Sequence, residues 1–168
     1  IEASIIDRKT YAYTEPERGR REPGSEVHHM AIRLTLGTDF VIRAVEVVLP
    51  ATPYAYCGTA APNYQGLVGR RIDGKWRATV NEIVGAARGC THARELLFPM
   101  ATTAFQSLFG WREEGSEAGS EEPRMEMRDK TGKPYFVGGC KAWAEDGPVV
   151  ARFYPQFASA PTPRDEPA

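Results

Sequence analysis

Hydrophobic and polar residues alternate most regularly between Met30 and Leu36, where Met30, Ile32, Leu34 and Leu36 are separated by Ala31, Arg33 and Thr35. A period of two predicts a half-buried β-strand. Gly37-Thr38-Asp39 reads as a short hairpin loop, and a return strand rich in Val and Ile is predicted from Phe40 to Leu49. Pro50 and Pro53 stop it, because proline has no N–H to offer a sheet ladder. Upstream, Ile1 to Tyr13 is strand-like, and Thr14 to Glu26 is read as a solvated loop whose arginines and glutamates interleave.

The period changes in the middle of the chain. Pro62 lies near the start of a short predicted helix that Gly69 would stop. Asp73 can cap a second, with Trp76, Val80, Ile83 and Val84 on one face and Gly85 at its end. A third opens at Thr91 and carries Leu97, Ala101, Ala104 and Leu108 at helical spacing. Pro99 lies inside it and is expected to kink it. Residues 112–124, REEGSEAGSEEPR, hold five glutamates and too few apolar groups to bury, so they read as a flexible acidic loop. Strand signal then resumes: Tyr135 to Ala144 and Val149 to Tyr154 read as a second hairpin around Glu145-Asp146-Gly147. Residues 158–168 read as a disordered Pro-rich tail. The expected fold is α+β: one domain over residues 1–157, with an antiparallel sheet of two hairpins plus an N-terminal strand. About three helices from the middle of the chain cover one face.

Composition narrows the function classes. A chain of 168 residues with 42% hydrophobic and 26% charged residues can bury a core without staples. Its 21 basic and 22 acidic residues leave a formal net charge of −1, which offers no footprint for nucleic acid or an anionic membrane. No apolar run approaches the ~20 residues of a membrane-spanning helix. Three cysteines are an odd number, so a disulfide framework is not expected and a reducing, cytoplasmic setting is.

Four separated motifs stand out: HHMAIRLTL from His28, PYAYCGTAAPNYQGLVG from Pro53, GCTHARELLFPMATTAFQ from Gly89 and GGCKAWAEDGPVVARFYP from Gly138. In this order and spacing they resemble the bacterial domain-of-unknown-function family 2889, across nearly the whole chain. The resemblance implies a fold and a residue set but no reaction. It also implies an acidic residue where His29 stands, so that His28 is the matching histidine. The order of hairpin, cysteine loop, helices and late cysteine is similar in layout to the NifU and IscU type of iron–sulfur scaffold protein, an analogy of arrangement only.

Cys57, Cys90 and Cys140 each fall in one of these motifs and each adjoins a glycine, which allows close backbone approach to a bound group. With His92 they would make a Cys3His set suited to zinc or an iron–sulfur cluster. The set lacks a CxxC pair, so three distant segments would have to converge; the alternative is three small buried hydrophobes. Cys90 would also open the third helix, where the dipole and free amides favour a thiolate, with His92 as its base and Glu95, three residues on, orienting the imidazole. The plain alternative is a helix cap with a surface ion pair. His28 shares the parity of Met30, Ile32 and Leu34 and should face inward, as a base, a ligand or a hydrogen-bonded core residue. Tyr11, Tyr13, Tyr54, Tyr56 and Tyr64, with Trp76 and Trp143, could line a pocket for an aromatic ligand or simply pack. GLVGRRIDG lacks the Lys-Ser/Thr ending of a phosphate loop.

Three function classes follow. The first is a metal- or iron–sulfur-binding protein using Cys57, Cys90, His92 and Cys140. The second is a small enzyme acting on a compact small-molecule substrate, aromatic ones included, through His28, Cys90, His92 and Glu95. The third is a non-catalytic protein-interaction domain.

Overall fold

A computed structural model of the protein describes residues 1–108 and 128–160. The expected acidic loop at 112–124 and the tail beyond 160 lie outside the described residues. The chain divides into two compact units, Ile1–Leu108 and Phe109–Ala168, where the sequence reading has one domain over 1–157.

The first unit runs β1 (Glu2–Arg8), β2 (Tyr13–Glu15), β3 (Gly19–Arg21), β4 (Glu26–Leu36), β5 (Ile42–Ala51), a 3-10 segment (Ala55–Leu67), α1 (Trp76–Val84), a 3-10 turn (Ala86–Arg88) and α2 (Thr91–Leu108). It is α+β: a three-stranded antiparallel sheet of order β1-β4-β5, and a small β2-β3 hairpin inside what the sequence presents as a polar loop. That hairpin is held from beneath by Arg18, whose guanidinium grips the buried Glu15 carboxylate and reaches the Glu26 and Val27 carbonyls.

The alternation from Met30 to Leu36 is borne out. Met30, Ile32 and Leu34 are buried while Arg33 and Thr35 are exposed. Across the sheet, Ile5 pairs with Met30, Ala3 with Ile32 and Leu34 with Val45. α2 packs on β1 and β4, and α1 on α2 and the 3-10 segment. α2 buries Ala93, Leu97, Met100, Ala101 and Ala104 and continues on both sides of Pro99 as one helix. The predicted helix near Pro62 is instead a 3-10 run that begins at Ala55 and buries Tyr64 and Leu67. Residues three apart eclipse in that geometry, so these two share one face.

At the hairpin loop, Phe40 adopts φ 62°, a left-handed conformation that side chains disfavour. Burial holds it there: Phe40 is 2% exposed and its ring lies 4.5 Å from that of Phe105.

The second unit corrects the expected second hairpin. Residues 134–147 form successive turns, and the Val-rich stretch is a helix, α3 (Pro148–Phe153). Proline at its first position has a preset φ and needs no hydrogen-bond donor there, and Val150 is fully buried. The β preference of Val149 and Val150 yields to that packing. Phe136, Trp143 and Tyr154 cluster with ring centroids 4.6 to 5.8 Å apart.

Candidate active site

β4 carries His28 to the inner face of the sheet, in the row of Met30, Ile32 and Leu34. The register places Asp7 of β1 directly opposite it, with Asp7 Oδ2 3.0 Å from His28 Nδ1. The first turn of α2 lays His92 over the same ring: the imidazole centroids are 4.0 Å apart and tilted by 31°. Three segments distant in sequence thus meet at one end of the sheet.

The exposures divide the work. The His28 side chain is 17% exposed and that of Asp7 47%, so the carboxylate stays hydrated while the imidazole is shielded. An ionised carboxylate can only accept a hydrogen bond. Nδ1 of His28 is therefore the ring nitrogen that donates to Asp7. Among the described residues His92 has no hydrogen-bond partner. Desolvation, then the adjacent His28, push its pKa below the ordinary histidine value, with Asp7 opposing. His92 is accordingly neutral near pH 7, and two stacked imidazoles resist holding two protons at once.

Cys90 sits immediately before α2, half-buried. Its carbonyl accepts the Arg94 amide at 2.8 Å and the Tyr64 hydroxyl at 3.0 Å. The Tyr64 phenol is pushed well above its usual pKa by burial and, secondarily, by the neighbouring Cys90. The close approach that Gly89 permits is to the chain itself, since a Cβ there would lie 2.3 Å from the Val84 carbonyl oxygen.

The expected His92–Glu95 pair does not form. Glu95 accepts from Arg94 at 2.6 Å on the solvent side of α2, while His92 turns toward the sheet. His29, on the opposite face of β4, pairs with Glu26, which also receives Arg8. All three cysteines are free: Cys57 in the 3-10 segment, Cys90 before α2, and Cys140 exposed in the second unit. Among the described residues no group of three or more His, Cys, Asp or Glu side chains could hold a metal ion. The Cys3His arrangement of Cys57, Cys90, His92 and Cys140 therefore has no support in the geometry.

The aromatic residues also resolve into other roles. Tyr64 and Trp76 are core, and the Trp76 indole N–H donates to the Leu97 carbonyl at 2.9 Å. Tyr11, Tyr54 and Tyr56 are exposed, and Trp143 belongs to the second unit. Asp7 is the residue that sequence reasoning missed. Its only signal is parity with Ala3 and Ile5, which acquires meaning once the β1–β4 register is known.

No helix among the described residues is long and apolar enough to cross a membrane. Residues 1–106, which contain Asp7, His28, Cys90 and His92, match the model of a family described as protein of unknown function (DUF2889). No curated protein and no solved structure matches the chain.

Proposed function

The chain belongs to that family of unknown function, and we propose that its member is a proton-transfer enzyme for a compact carbonyl compound. The observation that carries this reading is the Asp7–His28–His92 constellation, drawn from β1, β4 and α2. Asp7 fixes the tautomer of His28 and stabilises its cation once a proton has been taken. His28 Nε2 is the base. His92, kept neutral, offers a ring N–H to oxygen where charge develops as the proton leaves the adjacent carbon. The proton then returns from His28 to the substrate carbon.

The test is solvent-deuterium incorporation next to the carbonyl in a panel of small ketones and keto acids, followed by NMR. His28→Gln should lower the rate by about 100-fold or more, the usual worth of a positioned general base. Asp7→Asn should lower it as well, while Cys90→Ser leaves it nearly unchanged. Exchange that is no faster than in buffer across the panel, or equal rates for wild type and His28→Gln, would defeat the reading.

A further inference from the structure

β4 is irregular just before His28. From Glu2 to Asp7 the residues of β1 face β4 in unbroken register, with Asp7 opposite His28. The next residue, Arg8, faces Glu26, so Val27 is an extra residue with no partner in β1. β5 offers it none either, since the β4–β5 pairing begins at His29 and Ala51. Val27 is thus a bulge. One consequence is the direction of Glu26. Unbroken alternation would set it on the inner face with His28 and Met30. Across the bulge it turns to the outer face, where its carboxylate pairs with His29 and Arg8. Another consequence is that the carbonyl of Val27, a residue paired with neither strand, needs a donor of its own. Arg18 supplies it: Nη2 donates to the Val27 carbonyl at 3.1 Å and to the Glu26 carbonyl at 3.3 Å.

We infer that Arg18 is a positioning residue for His28. The carbonyl it holds belongs to the Val27–His28 peptide, a planar unit whose tilt sets the direction in which the His28 side chain leaves the strand. A peptide free to swing at the bulge would let Nδ1 drift from its 3.0 Å contact with Asp7 Oδ2. The clamp is itself fixed. Arg18 Nη2 also donates to Glu15 Oε1 at 2.7 Å, and Nε to Oε2, a two-point grip on a carboxylate that is 5% exposed. Glu17 Oε2 accepts the Ala55 amide at 2.7 Å, which ties the turn of the hairpin to the 3-10 segment. A buried ion pair contributes little net stability once its desolvation is counted. What this one adds is a fixed donor where the sheet offers none.

Heteronuclear NMR of the histidine rings in the full chain tests this at about pH 8, above the ordinary histidine pKa, with circular dichroism as a check on folding. In wild type the His28 ring proton should sit on Nδ1, the form that donates to Asp7. Arg18→Met should shift the balance toward the Nε2–H form by roughly tenfold, the factor a single hydrogen bond supplies. Arg20→Met removes the same charge from the same hairpin, where Arg20 pairs with Glu22, and should leave the tautomer as in wild type. Should Arg18→Met fail to fold with Glu15 left unpaired, the double variant Glu15→Gln, Arg18→Met removes the stranded charge and should show the same shift. Solvent-deuterium incorporation should fall in Arg18→Met as well, and that arm alone rests on His28 being the proposed base. The tautomer needs no substrate, so failure of that reading is distinct from failure of the positioning. An unchanged tautomer in a folded Arg18 variant, an equal shift in Arg20→Met, or a wild-type His28 protonated on Nε2 would each overturn the assignment.

Discussion

His92 shows how a residue's neighbours decide its chemistry. In sequence it is a histidine near a helix start with a glutamate three positions on, a surface pair in waiting. In the fold it has turned inward, lost water and met His28, and its pKa falls below the ordinary 6.5. The consequence for stability has a definite sign. As pH falls, the unfolded chain binds a proton at this position before the folded one does. The contribution of His92 is therefore present above the ordinary histidine pKa and is lost as pH falls from there through the lowered folded value. The urea midpoint should decline between pH 7.5 and pH 5.5, and less steeply in His92→Gln than in wild type. Equal slopes in the two proteins would show that His92 titrates freely.

At the scale of elements, the hairpin between β4 and β5 sets local preference against packing. A residue at φ 62° favours glycine, yet Phe40 stands there with its ring in the core. Truncating the ring should cost about 3–5 kcal/mol, the usual range for a buried phenylalanine. Glycine is ordinarily worse than alanine in ordered backbone by about 0.5–1 kcal/mol. Here the order should reverse, because only glycine is free of the left-handed penalty. Urea unfolding of Phe40→Gly and Phe40→Ala checks this: an alanine variant that is the more stable would mean the backbone at this position relaxes. Elsewhere the periodic elements behave as their sequences suggest. The Met30–Leu36 alternation forms the central strand, Thr91 opens α2, and Gly85 ends α1, with its amide bonded to Asn81 O.

At the scale of the molecule, the boundary after Leu108 lies close to the end of the family match at residue 106. The first unit contains the sheet, α1, α2 and the whole His28 constellation, with its own buried core from Val27 to Ala104. A core of that kind supports independent folding. A fragment of residues 1–108 should therefore unfold cooperatively and retain the His28–His92 contact, seen as coupled imidazole titrations by NMR. A fragment lacking a cooperative transition would place part of that core's support in the rest of the chain.

The sequence by itself determined the elements with a strong period, the α+β class and the inward direction of His28. These are local matters: side-chain alternation, capping residues and proline geometry act over a few positions. Local preference also misled where packing was stronger. Val149 and Val150 promised a strand and became a helix behind Pro148. Three cysteines beside glycines suggested a centre, whereas among the described residues no group of three or more His, Cys, Asp or Glu could hold a metal ion. Only the tertiary structure decided which histidine meets which. Asp7, His28 and His92 lie in three segments, and their meeting depends on the β1–β4 register and on how α2 crosses the sheet. Register and crossing are set by the fit of buried side chains across the whole core, a sum over distant contacts that no short stretch of sequence contains.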